Sequence, residues 1–277
     1  MPLLVTSAAG ANGDGYGTLL DFDADGKLLG RFSEDNRIFD PRGLGFDRDE
    51  GLLFLNSGTN RVLALNPQGT VVRDTGLIEG LNPGGGDFGP DGRYYVGSRS
   101  ARTIMALTTA LDGAGEYVLP PGVVAFPRGF AFGRDGRLFL ASGIGPNGEG
   151  DNTIVAFAPD RRIVGSWRVE DPELSPLDLA IGPNDNILVT SEWPFGVPDA
   201  VTGVREYDAV GGHLVRVFSP AGKATFRKPR GLRFGPNGNL YSVAQDEVVA
   251  FNFESGECLG AVVQLPRLNG QALAFFP

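Results

Sequence analysis

Apolar positions along this chain come in short runs, each cut off by Gly, Pro, Asn or Asp. One phrase recurs: Pro, one residue, a small residue, then an apolar run ending in Phe or Ile. It stands at Pro41-Arg42-Gly43-Leu44-Gly45-Phe46, Pro83-Gly84-Gly85-Gly86-Asp87-Phe88 and Pro127-Arg128-Gly129-Phe130-Ala131-Phe132. It returns at Pro176-Leu177-Asp178-Leu179-Ala180-Ile181 and Pro229-Arg230-Gly231-Leu232-Arg233-Phe234, and without its proline at Gly270-Gln271-Ala272-Leu273-Ala274-Phe275. A turn follows, such as Gly89-Pro90-Asp91-Gly92 or Gly235-Pro236-Asn237-Gly238. Glycine takes the positive-φ position of such hairpin turns without steric cost. A second apolar run comes next (Leu52–Leu55, Tyr94–Val96, Leu138–Leu140, Ile187–Val189, Leu240–Val243), then a loop and a third (Arg61–Leu65, Thr103–Leu107, Thr153–Phe157, Val204–Tyr207, Val248–Phe251). A weaker fourth closes the unit, as in Ile163–Trp167 and Leu214–Phe218.

The last residue of the phrase falls at 46, 88, 132, 181, 234 and 275, in steps of 42, 44, 49, 53 and 41 residues. Four short strands per unit of that length predict the blades of a β-propeller. Residues 270–277 supply a first strand only, and residues 3–6 read as the missing second strand. The two ends then make one blade, with a closing step of 48. The expectation is all-β: a six-bladed propeller of four-stranded blades, one domain over residues 1–277, its last blade closed by both termini. Closure of this kind removes exposed sheet edges. Glycine (42) and proline (20) together disfavour long helices, and with them bundles and Rossmann domains. The regular spacing disfavours a β-sandwich.

The sequence Pro-x-Gly-Leu-x-Phe, then Gly-Pro-Asp/Asn-Gly, then Leu-Tyr/Phe, then Asn-x-Val-x-x-Phe resembles the NHL-type blade. The same grammar runs through the gluconolactonase/SMP-30 group and the streptogramin-lyase-like proteins, and the resemblance covers the whole chain. It implies six blades and leaves activity open, because such propellers include lactonases, lyases and binding scaffolds. The lyase-like propellers use histidines as base or metal ligands. Here His213 is the single histidine, in a hairpin between third and fourth strands, and reads as an exposed turn residue. The lactonase group holds a divalent metal with Glu, Asn and Asp, its Asn commonly at the x of Pro-x-Gly. Those positions are Arg42, Gly84, Arg128, Leu177, Arg230 and Gln271, so no metal triad carries over.

A formal charge of −9 disfavours nucleic acid and anionic membranes as partners. Cys258 alone allows no intrachain disulfide. No apolar stretch approaches the roughly 20 residues of a membrane span. The start, Met1-Pro2-Leu3-Leu4-Val5-Thr6, has no basic n-region and reaches Gly10 too soon for a signal peptide, so the expected address is cytoplasmic.

Aligned blades give three levels where first strands begin. The outer level is the x position just given. The next is Gly43, Gly85, Gly129, Asp178, Gly231 and Ala272, and the deeper one Gly45, Asp87, Ala131, Ala180, Arg233 and Ala274. Small residues suit crowded strands, so Asp178, Asp87 and Arg233 stand out. Arg42, Arg128 and Arg230 are expected either to hold an organic anion by bidentate bonds, or to cap carbonyls and pair with Asp178 and nearby acids. Asp87 and Arg233, from blades three apart, are expected to pair across the channel.

Three loops between second and third strands are long. Asn147, Glu149 and Asp151 offer hard oxygen ligands for a divalent metal such as Ca²⁺, although Asn/Asp-Gly clusters form turns on their own account. Trp193 and Phe195, beside Glu192, can wall an organic ligand or pack on themselves. The first functional expectation is a small-molecule site for an anionic substrate, as in a lactone hydrolase or lyase. Asp178 or Glu192 would serve as base or metal ligand. The alternative is a non-catalytic NHL-type protein-interaction scaffold.

Overall fold

The computed structural model describes residues 3–10, 12–113, 115–145, 148, 150–169, 174–192 and 203–276, without the side chains of Asp151 and Glu192. Every apolar run of the repeat becomes a strand. The chain begins with β1 (Leu3–Ser7), β2 (Leu19–Phe22) and β3 (Leu28–Arg31). Blade 2 is β4 (Gly43–Asp47), β5 (Leu52–Ser57), β6 (Arg61–Leu65) and β7 (Val71–Asp74). Blade 3 is β8 (Pro83–Phe88), β9 (Tyr94–Ser98), β10 (Thr103–Leu107) and β11 (Glu116–Tyr117). Blade 4 is β12 (Pro127–Phe132), β13 (Leu138–Ile144), β14 (Gly150–Phe157) and β15 (Ile163–Arg168). Blade 5 is β16 (Ser175–Ile181), β17 (Ile187–Glu192), β18 (Val204–Tyr207) and β19 (Leu214–Phe218). Blade 6 is β20 (Leu232–Phe234), β21 (Leu240–Val243), β22 (Glu247–Phe251) and β23 (Cys258–Gln264), and β24 (Gly270–Phe275) ends the series.

These strands form six four-stranded antiparallel sheets, the blades of a six-bladed β-propeller. In blade 1 the order is β24-β1-β2-β3. The two ends of the chain pair as the repeat requires, Leu3 opposite Phe275, Leu4 opposite Ala274 and Val5 opposite Leu273. Contacts divide the chain into two compact units. Unit one is Met1–Val123 with Leu265–Pro277 and holds blades 1 to 3; unit two is Val124–Gln264 and holds blades 4 to 6. Within each unit the first strands of neighbouring blades lie side by side.

Second and third strands are apolar on both faces, and within each unit those faces pack against the neighbouring sheet. In unit one Leu4, Leu53, Leu55 and Leu63 fill the space between blades 1 and 2, and Phe54, Tyr94 and Val96 that between blades 2 and 3. In unit two Phe139, Ile154, Val189 and Tyr207 pack between blades 4 and 5, and Leu188, Phe218, Leu240 and Phe251 between blades 5 and 6. Each such side chain stabilises the fold by about 1.5–3 kcal/mol. Fourth strands meet solvent on one side, and exposed Ile163, Val164, Val215 and Val217 lie there.

The loop expected over Ser142–Asn152 is shorter than the sequence suggests. β13 and β14 extend into it until Ile144 pairs with Gly150, giving more of this backbone ladder partners. Four blades share a feature at the residue just before the first-strand phrase. Asn269, Asp40, Asn82 and Lys228 are left-handed there, with φ of 44°, 48°, 42° and 47°. Asn and Asp tolerate that conformation better than other side chains, so Lys228 bears the greatest strain of the four.

Candidate functional site

The sharpest constellation in unit two gathers where the first strands of blades 4, 5 and 6 begin. Asp178 lies on β16 opposite Thr190 of β17. Its Oδ2 accepts the backbone N–H of Leu232 at 3.0 Å and Arg233 Nη1 at 3.1 Å, both from blade 6. Arg233 Nη1 also donates to Leu232 O at 2.7 Å. The two side chains keep 14% and 21% of their surface exposed, so the pair is sunk but reachable by solvent. On the blade 4 side the space is made by a missing side chain. A methyl on Gly129 would collide with Asp178 Oδ1 and lie 2.7 Å from both Asp178 Cα and Leu177 O.

Thr190 completes the join. Its hydroxyl accepts Asp178 N–H at 3.1 Å and donates to Arg230 O of blade 6. Arg128 stands over the Phe126 ring at 4.6 Å and donates through Nη2 to Ile144 O at 2.6 Å, a bond within its own blade. The backbone N–H of Arg230 is held by Val243 O at 2.8 Å.

Unit one has a neutral counterpart. Asn56 of β5 donates through Nδ2 to Gly84 O of blade 3 at 3.1 Å and accepts the Tyr94 hydroxyl at 2.9 Å. Gly86 packs so closely that a methyl there would strike both side chains. Arg42 is ion-paired with Asp40 and reaches Gln271 Oε1 at 3.5 Å. Asp87 accepts the N–H of Phe88 at 2.8 Å. Within unit two Arg233 pairs with Asp178, one level up and one blade away.

The structure thus brings Asp178 and Arg233 together and sets Arg128 and Arg230 at the matching positions of the flanking blades. Trp193, Phe195, Asn147 and Glu149, and the side chains of Glu192 and Asp151, lie outside the described residues. Among the described residues no group of three or more His, Cys, Asp or Glu is placed to hold a metal ion. His213 is 86% exposed on the β18–β19 hairpin, bonded to Asp208 at 3.1 Å. The N–H groups of Gly211 and His213 hold the Asp208 carboxyl down at about 2.

One recurrent signal escaped the alignment. Second strands carry a serine at or within two residues of their end, at Ser7, Ser57, Ser98, Ser142 and Ser191, every one fully buried. Four of them tie the strand end to the segment leading into the same blade's first strand. Ser7 donates to Leu268 O, Ser57 to Arg37 O at 2.6 Å and Ser98 to Leu81 O at 3.1 Å, while Ser142 accepts Phe126 N–H at 3.2 Å. Blade 6 has Ala244 at this place, and there the buried Glu247 carboxylate accepts Phe226 N–H and the Thr225 hydroxyl. A serine at fixed spacing after each hairpin is the clue that marks these latches.

A third-strand place departs from pattern in the same selective way. Ala64, Ala106, Ala156 and Ala250 occupy it in four blades, Asp21 and Glu206 in the other two. Burial pushes both carboxyls up. For Glu206 the hydrogen bonds of Asn186, Asn184 and Arg216 outweigh burial and hold it below its ordinary value. For Asp21 burial wins, and its Oδ1 has no hydrogen-bond partner among the described residues.

No protein-family model matches the chain, and no curated protein does. Solved structures do. A protein of unknown function from Bacteroides caccae is 14% identical, with a TM-score of 0.70 over 98% of this chain and 97% of that one. A catalytically inactive virginiamycin B lyase from Staphylococcus aureus with quinupristin is 18% identical, with a TM-score of 0.63 over 87% and 75%. A gluconolactonase from Xanthomonas campestris is 17% identical, with a TM-score of 0.62 over 82% and 76%. At these identities the likeness is one of fold: the chain is a β-propeller built like that lyase and that gluconolactonase.

Proposed function

We propose that this protein is a small-molecule-binding propeller whose ligand is an organic anion, held where the first strands of blades 4 to 6 begin. One observation carries the reading. The first-strand phrases of unit two contain Arg128, Arg230 and Arg233 against the single carboxylate Asp178, in a chain whose overall charge is −9. An excess of guanidinium at one place in an acidic protein favours a carboxylate, sulfate or phosphate over a neutral molecule. The reaction class that accompanies this fold in the neighbours above is lactone hydrolysis or a lyase reaction. In that reading Asp178 and Glu192, which lie at the same end of blade 5, are the carboxylates available as base. The exposed Ile163, Val164, Val215 and Val217 of the outer strands favour a second reading, a protein-interaction scaffold.

Thermal-shift measurements against matched hydroxy-acid anions, their neutral lactones and uncharged polyols test the first reading. The anions should raise the melting temperature, less so as salt is added. Acid release from a lactone, followed with a pH indicator, reads turnover. Hits that are uncharged and insensitive to salt would remove the reading. Capture of a protein partner with no small-molecule hit would favour the scaffold.

A further inference from the structure

The blade 6 side of the Asp178 contact has the chemistry of a carboxylate receptor. A backbone N–H from Leu232 and a guanidinium Nη1 from Arg233 converge on one carboxylate oxygen at 3.0 and 3.1 Å. Both donors belong to adjacent residues of one strand, β20, and Arg233 Nη1 is also anchored on Leu232 O at 2.7 Å, a bond that does not involve Asp178. At the same level blade 4 carries Gly129 and blade 6 carries Gly231, and the absent side chain of Gly129 leaves the room in which Asp178 Oδ1 sits. Asp178 is therefore the occupant of the cradle and not part of its frame. Its residual exposure, with that of Arg233, leaves the contact open to a small solute.

We propose that Leu232 N–H and Arg233 form a carboxylate-binding cradle, filled by Asp178 in the resting protein, from which the carboxylate of a small organic ligand displaces it. This deepens the reading of the site as an anion receptor, on which its biological meaning rests, by naming the anionic group as a carboxylate. It also gives Asp178 two states. Paired, its charge is spent on Arg233; displaced, it is a carboxylate beside a bound organic acid. Internal occupation weakens apparent affinity by the fraction of time the cradle is open, so removing the Asp178 side chain should tighten carboxylate binding rather than abolish it.

The experiment uses the full chain, with acetate as probe and chloride at equal ionic strength as control. Asp178→Ala should melt lower than the parent. Acetate, and not chloride, should restore its melting temperature saturably, with an apparent affinity about tenfold or more above that of the parent. Asp178→Ala/Arg233→Gln should show no acetate response beyond chloride. Should Asp178→Ala fail to fold, refolding yield in acetate against chloride gives the same test. Asp178→Asn, which keeps the shape without the charge, should also bind acetate more tightly than the parent. An acetate response equal to chloride in both single variants, or unchanged by loss of Arg233, overturns the cradle. If the parent binds acetate weakly and Asp178→Ala binds it more tightly, but neither binds the larger organic anions, the cradle stands and the functional reading falls. If the parent binds organic anions and Arg233→Gln binds them equally well, the functional reading stands and the cradle falls.

Discussion

Where blade 2 meets blade 3 in unit one, the join is made by an amide and a phenol, Asn56 to Gly84 O and Tyr94 to Asn56. Where blade 5 meets blade 6 in unit two, the corresponding level keeps a neutral bond, Thr190 to Arg230 O, and adds a carboxylate and a guanidinium, Asp178 and Arg233. Each polar group has a glycine of a neighbouring blade pressed against it, Gly86 of blade 3 on Asn56 and Gly129 of blade 4 on Asp178. The geometric demand is therefore shared, while the charge is not. A neutral join holds blades together and offers a passing ion little. An ionic join contains a cation that another anion can compete for. The difference separates structural crowding, common to both units, from chemistry confined to one.

The largest expected effects test the shared part. Gly129→Ala and Gly86→Ala should each destabilise by about 3 kcal/mol, because the added methyl meets backbone or tightly held side chains. Chemical denaturation of the two variants checks this, and a neutral result for either would remove the crowding argument for its unit. Next comes the charge. Asp178→Ala should cost about 2 kcal/mol, below the figure for a fully buried pair since both side chains keep some exposure. Tyr94→Phe should cost about 1 kcal/mol. In a double-mutant cycle, Asp178→Ala with Arg233→Ala should recover part of the single losses. Simple additivity would mean that the ion pair adds nothing.

Asp21 and Glu206 sharpen the comparison in pH. The Glu206 carboxyl is held below its ordinary value, so its contribution is present above about pH 4.5 and is lost as pH falls through the lower folded value. Glu206→Gln should lower stability at pH 7, and the gap to the parent should close in acid. Asp21 has the opposite sign. Its carboxyl is raised by burial, so its charged form disfavours folding, and Asp21→Ala should raise stability at pH 7. That gain should shrink as pH falls through the raised value and vanish below the ordinary value of 3.8; melting curves between pH 3 and 7 read both. The smallest effect is expected at His213. His213→Ala should leave stability within about 0.5 kcal/mol and ligand binding unchanged.

The blade pattern was legible in the sequence because each Pro-x-Gly phrase, hairpin and apolar run reports local geometry. The pairing of Leu3–Ser7 with Gly270–Phe275 followed from counting repeats. The exceptional residues Asp178 and Arg233 were also visible, since charge stands out where small residues are the rule. Their partnership was not. Alignment tells which level a side chain occupies, but a long arginine can reach up a level and across to the next blade. Arg128 likewise bonds to Ile144 O, a carbonyl that the expected loop boundary leaves outside the sheet. The serine latches went unread because a lone serine at a strand end is ordinary, and only its repetition is informative.

The strand pairing of blade 1 also sets an order of events. Blades 4 to 6 are drawn from one continuous stretch of chain, whereas blade 1 joins residues 266 positions apart, as in the Thr6–Ala272 contact. During synthesis β1, β2 and β3 emerge early and have no innermost strand until β24 leaves the ribosome. The entropic cost of that late closure grows only with the logarithm of the intervening length, but the waiting time does not shrink. Until then β1 presents an unpaired apolar edge, which makes the newborn chain, rather than the finished protein, the form most exposed to aggregation.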